Sequence, residues 1–248
     1  LEGCSTISDK DWKLLFYSDG SNVWDSTHQL MKYTNGALAD NLRGNPSSTQ
    51  SALVVPHPTN TNLYYLFTVG AQGGNTGGPG FNYYTIDISK NGGLGEVIAG
   101  PVDLSDGKSS VWSEKVSAVQ GDDCNSIWIL SPVNNQFYAY KIDGNGVDAA
   151  NPVISTTNYY LRDRRGYLKV SPDGKKIALA DHRNSGSLVL YDFDALNGTV
   201  STTGTILANS SADGAHYGIE FSQSSSKLYT STSDGTNNKL YQFDLTQT

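Results

Sequence analysis

Short runs of alternating apolar and polar residues recur along the chain in pairs, and each pair is separated by a polar turn. The clearest pair is GYLKVSPDGKKIALAD at residues 166–181, where two alternating runs flank the turn SPDGK. A two-residue period is typical of β-strands with one buried face, and Pro-Asp-Gly between two such runs indicates a hairpin. No window keeps a 3.6-residue apolar period, so we expect almost no helix.

The hairpin pattern occurs five times, in segments that begin near residues 3, 49, 114, 166 and 217. The predicted second strands begin near Leu14, Leu63, Ile127, Ile177 and Leu228, at spacings of 49, 64, 50 and 51 residues. A third strand follows with an aromatic residue, an apolar residue and Asp in a fixed pattern, at Tyr84/Ile86/Asp87, Tyr140/Ile142/Asp143, Tyr191/Phe193/Asp194 and Tyr241/Phe243/Asp244. Asp at this position suits a turn, because its side chain accepts hydrogen bonds from the next backbone amides.

Repeats of roughly 40–50 residues with four antiparallel strands are the pattern of a β-propeller. We therefore predict an all-β fold, a single β-propeller domain over residues 1–248 with recognisable blades at roughly 3–46, 47–104, 111–157, 166–207 and 215–248. In the first blade we predict a third strand near residues 22–31 and an outer strand at 34–42. The last repeat ends after its third strand, which leaves open whether further blades or another chain complete the ring.

The composition agrees with strands joined by tight turns, with 26 Gly, 15 Tyr and only 17% charged residues. A net charge of −7 argues against a nucleic-acid partner, and no apolar run is long enough to insert in a membrane. The chain begins at Leu1 rather than Met, so we expect a processed or trimmed product. We expect no disulfide between Cys4 and Cys124, because the repeat places them at opposite ends of the propeller channel.

Several segments resemble a known family: EGCSTISDKDWKLLFYSDGSNVWDSTHQLM from residue 2, SSTQSALVVPHP from 47, LYYLFTV from 63, NGGLGEV from 91 and GYLKVSPDGKKIALA from 166. They resemble the propeller (WD40/YVTN-like) region of large secreted Bacteroidetes surface proteins associated with type IX secretion. The resemblance implies an exported propeller, extracellular or on the cell surface, and implies no catalytic residues. The family's preceding segment, following blades and sorting domain have no counterpart in this sequence.

The connection at residues 158–165, NYYLRDRR, concentrates aromatic and cationic side chains in an otherwise acidic chain. Guanidinium forks beside aromatic faces suit carboxylates, sulfates or uronic sugars. The alternative is that these arginines form structural ion pairs with Asp163 and Asp181. The candidate ligand-binding residues on the loop face are Tyr159, Tyr160 and Trp112, which we expect to be exposed and to stack on sugar rings, and Arg162, Arg164, Arg165, His182, Arg183 and His216.

Catalytic chemistry has fewer candidates. Glu114 and Glu220 lie on predicted inner strands, facing Lys115 and Lys169, and His216 could act with a carboxylate in acid–base catalysis. However, carboxylates do not recur as a matched set, and the GxSxG and HExxH motifs are absent from the sequence.

Neither a phosphate loop nor a resident cofactor is expected from the sequence. The glycine-rich stretch at residues 70–80 lacks the Lys-Ser/Thr ending of a phosphate loop, so we interpret it as a connecting loop. Asp143/Asn145/Asp148 and Asp192/Asp194/Asn197 carry oxygen ligands that Ca²⁺ prefers. Their spacing differs from that of an EF-hand loop, so we interpret them as turns and keep Ca²⁺ only as an alternative.

The hypothesis favoured by these features is a non-catalytic extracellular module for recognition, adhesion or structure, which binds a glycan or another cell-surface ligand through its loops. One alternative is a glycosidase-like carbohydrate-active enzyme using acids of the central funnel. The other is a structural subunit of a surface assembly, in which a neighbouring protein subunit supplies a missing strand.

Overall fold

A computed structural model describes residues 2–72, 80–183, 186–209, 214–233 and 238–247. Within these ranges the regular structure is β-strand, apart from three 3₁₀ turns of three residues each. None of the helical turns in this part of the chain is long or apolar enough to cross a membrane. The prediction of an all-β chain with almost no helix is confirmed.

The chain divides into two compact units, residues 1–114 and 115–248, and each is described by itself. The assignment of residues 1–248 to one domain stays a prediction.

The first unit contains two sheets. One is antiparallel, in the order β1 (Ser5–Ser8), β2 (Leu14–Ser18), β3 (Val23–Asp25). The other has the order β4 (Lys32–Tyr33), β8 (Glu96–Asp103), β7 (Phe81–Asp87), β6 (Leu63–Val69), β5 (Ala52–Pro56), and only the β4–β8 pair is parallel. Phe16, Leu66 and Ile86 belong to one buried cluster to which both sheets contribute.

The predicted outer strand at residues 34–42 is wrong. After β4 the chain turns back at Gly36, whose φ is +84°, and only an isolated bridge joins Leu38 to Lys32. Ala39 and Leu42 are buried in the core of the first unit. The segment therefore folds inward as a turn because its apolar residues complete this core, and β4 pairs with the neighbouring sheet instead.

The second unit contains three sheets. The first sheet contains β9 (Ser117–Gln120), β10 (Ile127–Val133), β11 (Gln136–Asp143), β12 (Gly146–Val147) and β13 (Val153–Thr156). The second sheet contains β14 (Leu168–Val170), β15 (Lys176–Ala180), β16 (Ser187–Asp194), β17 (Thr199–Val200) and β18 (Thr205–Asn209). The third sheet contains β19 (Ala215–Phe221), β20 (Lys227–Ser233) and β21 (Lys239–Asp244). In the first two sheets an outer strand, β13 or β18, pairs with the third strand of the repeat. All five predicted second strands begin within one residue of the predicted position.

Alternation along the third strands explains the recurring aromatic-apolar-Asp pattern. Tyr191 and Phe193 are buried in the cluster between the first two sheets of the second unit. Asp194, at the end of β16, accepts a hydrogen bond from the backbone of Leu196 at 2.9 Å. The aromatic and apolar positions therefore fill the core, and Asp caps the following turn as predicted.

The turn between the first two strands has one recurring backbone conformation in four of the five sheets. Trp12, Cys124, Gly174 and Ser225 occupy the same turn position, with φ of 64°, 56°, 71° and 58°. Each donates its N–H to the carbonyl three residues earlier. Gly174, from the Pro-Asp-Gly turn, adopts this conformation without strain, whereas a side chain makes it costly. Trp12 is 91% exposed, so burial of its indole does not offset the cost.

We predict that Trp12→Gly raises the free energy of unfolding by about 0.5–1 kcal/mol, because relief of left-handed strain exceeds the added chain entropy. Gly174→Ala is the matched reverse change, and it should lower stability by about 1 kcal/mol. A Cβ at residue 174 would meet no atom closer than 3.5 Å, so the loss would come from the backbone alone. Urea unfolding followed by circular dichroism measures both variants. A less stable Trp12→Gly would contradict this explanation.

Candidate functional site

Loops at one end of two sheets in the second unit form a cluster that we call the arginine rim, comprising residues 158–165, residues 181–183 and Asn134. Residues 158–165 connect β13 to β14, and residues 181–183 directly follow β15. Asn134 lies in the turn between β10 and β11. The rim is therefore held by three strand ends whose positions are set by the sheets.

Asp181 organises the rim from inside. Its side chain is fully buried, and its carboxylate accepts three hydrogen bonds at 2.9 Å, from the Tyr159 hydroxyl and the backbone N–H groups of Arg162 and Asp163. Burial and the Asp181 charge raise the pKa of Tyr159, so its phenol stays a proton donor. A buried carboxylate with several donors is well satisfied, and it fixes the backbone that supplies them.

A second buried carboxylate, Asp163, holds the other side of the same loop. Arg165 binds it in a bidentate pair, with Nε 3.0 Å from Oδ1 and Nη2 2.7 Å from Oδ2. The buried Lys115 ammonium donates to the carbonyl oxygens of Arg164, at 2.9 Å, and of Arg165. Burial by itself would raise the pKa of Asp163, but Arg165 hydrogen bonds and the Arg165 and Lys115 charges hold it below its usual value. The structural interpretation is thus confirmed for Arg165.

The outer surface of the rim presents aromatic and cationic groups. Tyr160 is 59% exposed, and its hydroxyl donates to Asn134 Oδ1 at 3.0 Å. Arg162 and Arg183 are exposed, and Arg183 Nη1 lies 3.5 Å from the Arg162 carbonyl oxygen. Among the described residues Arg183 forms no ion pair with a carboxylate. Arg164 is half-buried. The Arg183 guanidinium therefore lies beside the backbone of Arg162, on the connection that also carries Tyr160. Tyr159, which was predicted to be exposed, is half-buried because its hydroxyl binds Asp181.

The two predicted rim histidines differ. His182 is half-buried, its ring packs edge-on against Tyr217 at 4.9 Å, and its Nδ1 has no hydrogen-bond partner in the described ranges. His216 is fully buried, with Nδ1 3.3 Å from Thr230 Oγ1. Its predicted exposure at the rim is wrong, because a bulge between His216 and Ile219 interrupts the alternation of β19 and places His216 inside.

Two candidates in the first unit are structural rather than exposed. Trp112 is 2% exposed and stacks on Phe81 at 5.7 Å, so the prediction of an exposed stacking residue is wrong. Its indole is large enough to fill the core beside β7. Glu114 is also 2% exposed; Oε2 accepts from Thr49 N and Oγ1 at 2.9 Å, and Oε1 accepts from Gln72 N. Glu114 thus anchors two backbone segments and is shielded from a substrate.

Glu220 is exposed and pairs with Lys169 at 2.8 Å, so the predicted juxtaposition is confirmed. Glu220 also lines an open groove of about 380 Å³, the tyrosine groove, which is lined by Tyr167, Tyr217, Gly218, Ile219, Glu220, Tyr229, Thr230, Ser231 and Leu240. The sequence did not single out Tyr167, Tyr217 and Tyr229 as candidates. Their signal is their position near Lys169 and Glu220, since Tyr167 directly precedes β14, Tyr217 lies in β19 and Tyr229 lies in β20.

The calcium candidates lie in turns. Asp143 Oδ1 accepts from the Asn145 backbone at 2.7 Å, and Asp194 Oδ2 accepts from Asn197 Nδ2 at 2.8 Å. No group of three metal-ligating side chains is found in the described ranges. Cys4 and Cys124 are both free and exposed. Most of the glycine-rich stretch at residues 70–80 lies outside the described residues.

Comparison with solved structures identifies the fold. An endo-arabinase from Bacteroides thetaiotaomicron aligns with a TM-score of 0.51 at 10% identity, covering 98% of this chain and 93% of that one. A protein described as a candidate 6-phosphogluconolactonase from Bacteroides uniformis aligns with a TM-score of 0.50 at 15% identity, covering 96% and 66%. These neighbours are of the propeller type. The fold class is an all-β propeller.

The periplasmic gluconolactonase of Pseudomonas aeruginosa also aligns, with a TM-score of 0.48 at 15% identity, covering 73% of this chain and 50% of that one. This chain thus corresponds to about two-thirds of the B. uniformis protein and half of the P. aeruginosa protein. No family model and no curated protein matches the sequence.

The lowered pKa of Asp163 gives a pH-dependent prediction. The folded state binds its proton more weakly than an unfolded Asp with a pKa of about 3.9. Its stabilisation is therefore present above about pH 4 and is lost as the pH falls through the folded pKa. Asp163→Asn should lower the free energy of unfolding by about 2 kcal/mol at neutral pH, and the difference should shrink below about pH 4.

Urea unfolding over this pH range measures the difference. Asp192→Asn is the matched control, because Asp192 forms an exposed ion pair with Lys176 in the same unit. Its effect should be small at neutral pH. A gap between wild type and Asp163→Asn that stays constant down to pH 3 would argue against the assigned charge interaction.

Proposed function

We propose that this protein is a non-catalytic recognition module that binds acidic glycans at the arginine rim. The observation that carries the proposal is the exposed Arg183 guanidinium beside the Arg162 carbonyl. The connection that contains Arg162 and Tyr160 is fixed by buried Asp181. A planar guanidinium recognises a carboxylate or sulfate through two parallel hydrogen bonds. An aromatic ring beside it offers a face for the apolar side of a sugar.

Charge distribution supports an anionic ligand. The chain carries a net charge of −7, yet the rim holds Arg162, Arg164, Arg165 and Arg183. The two rim aspartates, Asp163 and Asp181, are buried, and their carboxylates are engaged by internal donors. The exposed side of the rim is therefore locally positive on an acidic protein, which suits an acidic sugar.

The enzyme alternative is less well supported by the candidate residues. His216 and Glu114 are buried and engaged with Thr230 and Thr49. Glu220 is exposed but is engaged in an ion pair with Lys169. Glycosidases of the common type need two accessible carboxyl groups flanking the scissile bond.

We further propose an extracellular or cell-surface setting, in which this module mediates adhesion or assembly. The support is the resemblance of segments at residues 2–31 and 47–58 to secreted Bacteroidetes surface proteins of the type IX pathway. Surface-exposed protein on intact cells of the source organism, detected by antibody, is the expected result. Detection only after cell lysis would contradict this setting.

A glycan array that includes uronic and sulfated glycans tests the proposed function. Wild type should bind acidic glycans, and Arg183→Ala should weaken that binding about tenfold or more, because it removes charge-assisted hydrogen bonds. Tyr160→Ala should weaken it less. Arg43→Ala is the matched control, since Arg43 is an exposed arginine of the first unit. Wild type that binds no glycan, or equal losses in Arg43→Ala and Arg183→Ala, would overturn the proposal.

A further inference from the structure

One face of the last sheet is open at positions that are buried in the preceding sheet. Strand pairing shows that Tyr229 in β20 corresponds to Ala178 in β15. Ala178 pairs with Lys169 of β14 and with Leu190 of β16. Tyr229 pairs in the same way with Glu220 of β19 and with Gln242 of β21. Leu240 in β21 likewise corresponds to Leu188 in β16. Leu188 is fully buried, whereas Leu240 is 76% exposed.

The side chains on this face are more polar than those of a face that packs against another sheet. In the preceding sheet the corresponding positions are aliphatic and buried, at Ala178, Ala180, Leu188 and Leu190. In the last sheet they are Tyr229, Ser231, Leu240 and Gln242. Another sheet would leave these hydroxyl and amide groups without water, which is costly unless each finds a partner. A ligand with both apolar faces and hydroxyls, such as a sugar, satisfies such a mixed surface.

The shape of the face also suits a small ligand. The tyrosine groove has a volume of about 380 Å³, within the roughly 300–1,000 Å³ typical of small-molecule sites. Gly218 and Ser231 approach closely in its lining, since an added Cβ at Gly218 would come within 2.9 Å of Ser231 Oγ. Tyr167, Tyr217 and Tyr229 provide ring surfaces around it.

Polar groups at the groove can bind sugar hydroxyls. The Glu220 carboxylate accepts hydrogen bonds, and the Lys169 ammonium 2.8 Å away donates them. An acceptor and a donor side by side match two neighbouring hydroxyls of a hexose. Their charges balance, so the groove selects no net charge on its ligand.

One residue that lines the groove, Tyr217, also contacts the arginine rim. The Tyr217 ring packs edge-on against His182 of the rim at 4.9 Å and against Tyr167 of the groove at 6.0 Å. A ligand leaving the rim at His182 therefore reaches tyrosine rings next.

We propose that the tyrosine groove is a second subsite that binds neutral hexose units of a glycan whose acidic unit lies at the arginine rim. This inference rests on the proposed function and extends it, because it predicts that the chain recognises acidic glycans containing neutral sugars. The groove stacks the neutral units on Tyr217 and Tyr229, and Glu220 and Lys169 bind their hydroxyls.

Isothermal titration with three probes separates the two subsites: glucuronic acid for the rim, cellotetraose for the groove, and a hyaluronan tetrasaccharide, in which glucuronate alternates with N-acetylglucosamine, for both. Tyr229→Ala should weaken cellotetraose and tetrasaccharide binding about three- to tenfold by loss of aromatic contact, and should leave glucuronic acid binding unchanged. Arg183→Ala should weaken glucuronic acid and tetrasaccharide but not cellotetraose. Leu196→Ala, which removes an exposed apolar side chain of the same unit, is the control and should bind as wild type.

The outcomes distinguish the two claims. If cellotetraose fails to bind wild type at millimolar concentration, or binds Tyr229→Ala equally well, the groove subsite is overturned even when glucuronic acid binds the rim. If cellotetraose binds as expected but glucuronic acid does not bind, the groove stands and the rim proposal fails. Light scattering of wild type completes the test, since a dimer lost in Tyr229→Ala would assign this face to a second copy of the chain and overturn the subsite.

Discussion

The buried carboxylate of Asp181 is the constraint on which the candidate site depends. It sits at the end of β15 and accepts hydrogen bonds from Tyr159, Arg162 and Asp163, which lie on a different connection. A buried carboxylate without donors would cost several kcal/mol, so the loop cannot move away without exposing or stranding this charge. The hydrogen bonds to the buried Asp181 carboxylate therefore set the positions of the exposed side chains of this loop.

The same arrangement explains how an acidic protein forms a cationic surface. Asp163 and Asp181 are buried, and Arg165 and backbone amides engage their carboxylates, while Lys115 donates to backbone carbonyl oxygens of the same loop. Arg162 and Arg183 are exposed. The buried charges hold the loop. Because internal hydrogen bonds order the loop, a ligand bound at the rim as proposed would not need to organise it.

The sequence predicts the repeating elements well because they depend on local chemistry. The two-residue period located the second strand of each repeat to within one residue, and the predicted hairpin forms around the Pro-Asp-Gly turn. The proximity of Arg183 to the Arg162 backbone agrees with the predicted placement of their loops at one rim. The ion pair of Arg165 with Asp163 was an alternative that the sequence left open.

Other features depend on packing between distant residues and have no local signal. Residues 34–42 fold inward because Ala39 and Leu42 complete a core assembled from two sheets. Trp112 is buried by its stacking on Phe81, and His216 by a bulge in β19, and neither follows from the neighbouring residues. The tyrosine groove depends on which face of the last sheet remains open, which strand patterns alone do not indicate.

Hydrogen exchange at residues 158–165 in wild type and Asp181→Asn tests whether the Asp181 carboxylate holds this loop in place. An amide group replaces one carboxylate oxygen with a donor, so the side chain can no longer accept from all three partners. We expect the amides of Arg162 and Asp163 to be protected in wild type and to exchange faster in the variant, while the amides of β15 stay protected. Equal protection of Arg162 and Asp163 in both proteins would contradict the account.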